Sequence, residues 1–329
     1  MEGLQNLLTI AYNYSRKWRF VFNPAKCAVV QFGDIRKKNV RPKVGKDSIE
    51  IVKKDIHLGV VLTDKEECIK EMIDDRIQGC KNIGYAIQGL GSHVTPVTPV
   101  TGSKVYWAVC IPKLCYGTEL MDIKENVVNS MDMYHCKMAK HQQNLPSQSN
   151  NPGSLATLGW KSIKAHCNFL KLIFLWQLLL LPFDCVYKEI CIKRLCLLFY
   201  KGAIHQGPLY NILNVCKEYG ISEIVRASLE SGVYMQKQVW KSVIKKKLMS
   251  LENKRWSTIC KMYKTLHFLS GDIYKMSTWW IHAYHDHCFA KQNRIVIRLL
   301  LNVFMYTEKM CPGCDLNIVN NVVMFTRRV

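Results

Sequence analysis

The order of apolar and polar positions divides the chain into a short mixed stretch followed by a long helical one. Leu4, Leu7, Leu8, Ala11, Tyr14 and Trp18 recur at helical spacing, so residues 4–18 read as an amphipathic helix ending near the basic pair Arg16 and Lys17. Phe22-Asn23-Pro24-Ala25 breaks it. Residues 27–32 form an apolar β-type run, and residues 36–46 read as a basic loop or hairpin tip. Residues 49–52 and 56–62 are further strand candidates, the second alternating Ile56, Leu58, Val60 and Leu62. At Thr63 the period becomes that of a helix. Thr63-Asp64-Lys65-Glu66 has capping-box spacing, and Ile69, Ile73, Ile77, Cys80, Ile83 and Ile87 follow at helical intervals up to Gly89-Leu90-Gly91.

The Thr-Pro tandem at 94–101 predicts an extended connector, because a residue before proline avoids the helical region. Helical patterning resumes at Ser103, pauses at Ile111-Pro112 and runs again over 124–141. The polar, proline-bearing residues 142–153 read as a linker and place a domain boundary. Beyond it Phe169, Leu172, Ile173, Trp176, Leu179, Leu180 and Phe183 form an apolar stripe, with further helices expected over 186–200, 208–219, 221–250, 252–268 and 290–306. The expected class is α+β, mostly α. It divides into a helix, strand and β-hairpin over 1–62, helices over 63–145, a helical bundle over 146–310 and a Cys-x-x-Cys tail over 311–329.

Composition narrows the function classes. Of 329 residues 49% are hydrophobic, with only 10 Pro and 18 Gly, which supports a folded core and excludes a disordered tail. Lys and Arg number 46 against 25 Asp and Glu, a formal charge of +21 carried largely at the surface. Such a charge suits RNA or DNA through phosphate contacts, and it also suits anionic lipid or acidic partners. Tryptophans alternate with basic residues at Trp18-Arg19, at Lys237, Trp240 and Lys241, and at Arg255-Trp256; they suit base stacking or the anchoring of helices. The 15 cysteines are odd in number, scattered, and follow no secretory leader, so reduced thiols in nucleus or cytoplasm are expected and secretion is not. The most apolar run, 169–183, is interrupted by Lys171 and Gln177 and is shorter than the ~20 residues a membrane span needs.

Candidate chemistry is sparse. Lys237, Lys241, Lys245, Lys246 and Lys247 follow one side of a helix and read either as a phosphate track or as a solvated face. His282, His285, His287 and Cys288 read as a polar helix face or, with Cys311 and Cys314, as metal ligands. Asp74 and Asp75 fall in a predicted helix, where adjacent side chains diverge by about 100°, and are assigned to the surface. No Gly-rich phosphate loop, Ser-His-Asp order or His-Glu-x-x-His pattern is present.

Three stretches, in order, resemble the reverse transcriptases of LINE-type (non-LTR) retrotransposons. The first is Leu4-Gln5-Asn6-Leu7-Leu8, Trp18 and Phe22-Asn23-Pro24-Ala25-Lys26-Cys27-Ala28-Val29-Val30-Gln31-Phe32, similar to the palm helix and following strand known as motif D. The second is His57-Leu58-Gly59-Val60, similar to the Tyr-Leu-Gly-Val of the motif E hairpin that helps hold the primer end. The third joins Ile111-Pro112-Lys113-Leu114-Cys115-Tyr116-Gly117-Thr118-Glu119-Leu120 with residues 140–146 and Leu155-Ala156-Thr157-Leu158-Gly159-Trp160, like the thumb region.

The resemblance implies a palm remnant followed by a thumb and a C-terminal helical region. In the family, polymerisation needs a pair of aspartates holding Mg²⁺ upstream of the opening helix, so the chain is expected to be a fragment without its own active site or cofactor. Lys26 would be a vestige of the motif D lysine that assists pyrophosphate departure, and no catalytic residue is assigned. His57 stands where the family has an aromatic residue, which weakens a primer grip. Nucleic-acid contacts are expected from Lys26, His57, Gly59, Lys237, Lys241, Lys245, Lys246 and Arg255. The family's terminal Cys-x-x-Cys is completed by a downstream His and Cys; after Cys314 neither follows, so Cys311 and Cys314 would form half of a zinc site. The alternatives are a basic nucleic-acid-binding module put to a new use, or a helical metal-binding or scaffold protein unrelated to polymerases.

Overall fold

A computed structural model describes residues 2–32, 41–63, 65–89, 97–121, 123–201, 207–269, 275–282 and 287–301. It has the expected α+β, mostly helical class, with short strands confined, among the described residues, to the first part of the chain. Two compact units are present, Met1–Arg76 and Ile77–Val329.

In the first unit, α1 (Glu2–Lys17) has an acidic first turn and a basic last turn, each complementing the helix dipole. The strands are β1 (Ala28–Val30), β2 (Lys43–Val44), β3 (Asp47–Ser48), β4 (Glu50–Val52), β5 (Asp55–His57) and β6 (Val60–Leu62). β1 pairs with β4 in parallel, while β2 with β3 and β5 with β6 form antiparallel pairs. The alternating stretch expected as one strand is therefore a hairpin. Leu58 at φ 50° and Gly59 at φ 77° reverse it in two residues, the backbone that a tight hairpin turn with strand-compatible twist demands.

The side chain of Gln5 joins α1 to the edge of β2. Its Nε2 donates to the Lys43 carbonyl and its Oε1 accepts from the Lys43 N–H, both at 2.9 Å, so one amide satisfies both backbone groups of that residue. The apolar side of α1 is wider than its contact. Leu4, Leu8 and Ala11 are partly covered and Ser15 is buried, whereas Leu7, Ile10, Tyr14 and Trp18 remain exposed.

α2 (Glu66–Gly89) follows. Thr63 accepts from the Lys65 N–H two residues on, at 3.0 Å, which makes a hydroxyl-closed turn ahead of the helix; Asp64 and the side chain of Glu66, on which the expected capping box depends, lie outside the described residues. Of the Thr-Pro tandem, Thr98-Pro99 is described and opens α3 (Pro99–Val105): the Thr98 hydroxyl accepts from Thr101 and Pro99 takes the first turn, where it has no N–H to lose. The expected pause at Ile111-Pro112 does not interrupt the backbone. A π-helical turn, Tyr106–Cys110, carries α3 directly into α4 (Ile111–Cys115), and its wider coil makes room for the proline ring where a regular α-turn would clash.

Helices α5 (Glu125–Gln142) and α6 (Asn151–Leu158) pack on one another. The stretch between them was expected to be a linker, yet Gln143, Leu145 and Ser149 are buried. Gln143 makes its polar residues part of the core: Nε2 donates to the carbonyls of Ala139 (3.0 Å) and Ser154 (2.8 Å), and Oε1 accepts from Thr157 Oγ1 (2.6 Å) and Trp280 Nε1 (3.0 Å). α6 ends at Gly159, φ 66°, where a Cβ would lie 2.5 Å from the Met276 amide nitrogen.

The helical bundle consists of α7 (Ile163–Leu179), α8 (Val186–Cys196), α9 (Pro208–Glu218), α10 (Ser222–Ser231) and α11 (Lys237–Met262). Its core includes Leu172, Leu175, Trp176, Leu195, Ile212, Val225, Trp240 and Ile244. The helix expected over 221–250 is broken, because Gly232 at φ 68° ends α10 in the left-handed conformation. The helices expected over 221–250 and 252–268 are joined across residue 251 within α11. α12 (Thr278–His282) and α13 (His287–Leu300) close the described chain.

Candidate nucleic-acid interface

The candidate surface is the outer side of α11. Trp240, Ile244, Leu248, Glu252, Trp256 and Cys260 stand four residues apart and are buried, fixing the inward face of the helix. Lys237, Lys241, Lys245, Lys246, Lys247, Lys254 and Lys261 fall elsewhere around it and are exposed. Over Lys237 to Lys245, a rise of about 12 Å spans some three to four phosphates of one strand.

The tryptophans beside these lysines anchor the helix. Trp176 and Trp240 stack with centroids 3.9 Å apart and planes 12° from parallel. Trp240 Nε1 donates to the Leu172 carbonyl at 3.0 Å, Trp176 Nε1 to Met235 at 2.9 Å and Trp256 Nε1 to Leu269 at 2.9 Å. With ring faces and N–H groups engaged in the core, Trp240 and Trp256 are closed to bases. Trp18, in the other unit, is the exposed member of the set at 62%.

Arg255 differs from the lysines. Its guanidinium bridges Glu218 at 2.5 Å and Glu252 at 2.7 Å. Burial works against its charge, but the two carboxylates outweigh that and raise its pKa; the pair with Glu218 ties α9 to α11, and the pair with Glu252, three residues away, lies within α11. Lys161 was missed by the sequence reading because it sits alone in the turn after Trp160. Burial and then the charge of Lys245 lower its pKa, which places the two ammonium groups in one field. Its Nζ lies 5.9 Å from the centroid of Phe169. His166 is held down to about 4, by burial and then by Lys161.

Behind this turn lies an aromatic stack. Tyr106 and Trp160 are 4.6 Å apart and 3° from parallel, and His135 lies 4.9 Å from Trp160. His135 Nε2 is 2.9 Å from the Lys161 carbonyl, which only accepts, so the proton is on Nε2 and Nδ1 accepts from the Tyr106 hydroxyl at 3.1 Å. Burial pushes the pKa of His135 down to about 3. The buried, neutral His135 thus fixes the backbone from which Lys161 projects.

In the first unit, Lys26 ends a single 3₁₀ turn, Pro24–Lys26, that Asn23 caps by accepting from Ala25 at 3.1 Å. The expected strand start at Cys27 is one residue early, and β1 stops at Val30. His57 is exposed at the end of β5 and pairs in register with Val60. The Gly59 carbonyl accepts from Arg76 Nη2 at 3.0 Å, pinning the hairpin turn to the first part of α2. Asp74 and Asp75 are both exposed on α2.

Cys311, Cys314 and His285 lie outside the described residues, as do the side chains of His287 and Cys288; His282 is exposed at the end of α12. Among the described residues no group of three or more His, Cys, Asp or Glu is placed to hold a metal ion, and no helix is long and apolar enough to cross a membrane. No protein-family model, no curated protein and no solved structure matches the chain.

Proposed function

We propose that the chain binds RNA or DNA through the exposed lysines of α11 together with Lys161, as a relative of the end-of-palm and thumb region of LINE-type reverse transcriptases, and that it does not itself catalyse synthesis. The observation that carries the binding is the inward locking of α11 by Trp240 and Trp256, which leaves Lys237, Lys241, Lys245, Lys246 and Lys247 exposed on a rigid 26-residue helix. The net charge of +21 supports the same partner. The polymerase relationship rests on the ordered sequence stretches and on the hairpin formed by His57-Leu58-Gly59-Val60. Two exposed aspartates on a helix, Asp74 and Asp75, do not supply the paired carboxylates of a two-metal site. A nuclear or cytoplasmic location belongs to this reading.

The test is fluorescence anisotropy of a labelled single strand and a duplex across a salt series, with the full chain. Affinity falls linearly with salt on logarithmic axes, and replacing Lys237, Lys241 and Lys245 by Gln reduces the slope by about 0.7 per lysine for the single strand and about 0.9 for the duplex. An unchanged slope in the triple variant would remove α11 from the interface. Primer extension with Mg²⁺ or Mn²⁺ is expected to give no product, and metal-dependent synthesis would refute the non-catalytic reading.

A further inference from the structure

A cavity of about 400 Å³ opens at the edge of the bundle core, between a π-helical turn, Leu197–Lys201, and helices α9 and α10. Phe199 and Leu213 give it an apolar side; Lys217, Ser222, Glu223 and Arg226 give it a polar one. Its volume is that of a small-molecule site. Wide π turns concentrate at functional positions, and this one delivers Phe199 to the cavity wall.

The polar side is short of acceptors. Ser222 Oγ and Arg226 Nε are both buried and unpaired, although both line the same space. Glu223 occupies only the outer edge of the guanidinium, reaching Nη1 at 3.3 Å with most of its own side chain in solvent. The guanidinium carbon lies 5.5 Å from the Phe199 ring centroid, within cation–π range. Ser222 is also the first residue of α10, and Ile221 before it provides no capping side chain, so the positive end of the dipole is uncapped beside these two donors. Two cations against one carboxylate leave the wall positive.

We propose that this cavity binds a phosphate ester carrying a ring of nucleobase size. The phosphate accepts from Ser222 Oγ, Arg226 Nε and the first-turn amides of α10, with Lys217 as an added charge, and the ring rests on Phe199 and Leu213. The chemistry is shared by a free mononucleotide and by the phosphorylated 5′ end of a nucleic-acid strand. The site is separate from α11 and does not depend on the lysine face there.

Calorimetric titration of the full chain with AMP, inorganic phosphate and adenosine tests it. AMP binds saturably, phosphate binds more weakly and adenosine without its phosphate more weakly than AMP. Arg226→Gln and Ser222→Ala each weaken AMP by about tenfold, the scale of a lost hydrogen bond to a charged group, while Lys247→Gln leaves it unchanged. Ser222→Ala removes a single oxygen and keeps the test open if Arg226→Gln fails to fold. Absence of AMP binding at up to about 10 mM, or binding indifferent to both substitutions, overturns the site. A strand with a 5′-phosphate that outcompetes its 5′-hydroxyl counterpart in an Arg226-dependent way identifies the nucleic-acid end as ligand; equal binding of the two strands with AMP binding intact identifies the free nucleotide. Loss of the α11 salt slope with AMP binding retained separates failure of the interface from failure of this site.

Discussion

Replacing Gln143 by Ala tests whether the residues between α5 and α6 hold the core together. Its amide serves four partners, but they do not suffer equally when it goes. Thr157 Oγ1 retains the Gly153 and Ser154 carbonyls at 3.1 Å, and the Ala139 carbonyl still accepts the backbone N–H of residue 143. The indole N–H of Trp280, buried at 0% exposure, is left with no acceptor. A stranded buried donor costs about 1–3 kcal/mol, and the space left by the truncated side chain adds roughly 1 kcal/mol, giving about 2–4 kcal/mol. A chain of two units does not unfold as one cooperative step, so the assay is native-state hydrogen exchange of peptides covering 139–160 and 276–282. Protection there should fall by about 30-fold to several hundredfold. In a Trp280→Phe background, which lacks the indole N–H, the same substitution should cost about 1–2 kcal/mol less. Equal costs in both backgrounds would refute the assignment of Gln143 as the acceptor on which Trp280 depends.

Three further outcomes follow from the geometry. His135 binds its proton only near pH 3 when folded against 6.5 when exposed, so stability is intact above about pH 6.5 and falls by roughly 1.4 kcal/mol per unit as the pH drops toward 3. Acid titration of tryptophan fluorescence should show that limb, made shallower in His135→Phe, with the remainder from His166, which is held down to about 4; a limb unchanged in that variant would assign it to other groups. Gly159→Ala forces a Cβ against the Met276 backbone at positive φ and should lower thermal stability by about 1–3 kcal/mol, whereas Gly232→Ala, with no neighbour within 4 Å, should cost less. Trp240→Ala, which empties the stack with Trp176, should destabilise the bundle by about 3–5 kcal/mol in denaturant titration, and a loss below 1 kcal/mol would contradict its place at the core.

Periodicity made the class readable because the bundle helices carry apolar stripes, and Phe169, Leu172 and Trp176 mark α7 without help from tertiary structure. Boundaries were harder wherever a local rule has two outcomes. Pro112 follows a π turn that removes its clash, so the break it signals does not occur. Gly232 does end a helix, yet the strong helical content on either side hid it. Residues 142–153 looked like solvent-facing linker because Gln, Ser and Asn are polar; composition alone does not reveal that their partners are buried backbone carbonyls. The lysine stripe on α11 was visible as spacing. Arg255, singled out by its place beside Trp256, has the same charge, and only the positions of Glu218 and Glu252 in three dimensions distinguish a cation held in ion pairs from the lysines of the stripe.

The thiols give the fold an internal clock. Burial holds Cys136, Cys191 and Cys216 up at about 12, and a hydrogen bond with Cys80 together with burial raises Cys110 further, so these groups are almost wholly protonated at neutral pH. They lie on α5, α8, α9 and the π turn before α4. A thiol reagent therefore meets them at the rate at which each helix lifts from its neighbours. Partly exposed Cys27, Cys68, Cys185 and Cys196 report the accessible background. The sequence of modification along the chain would thus record the order in which the core comes apart, with no cysteine introduced into the protein.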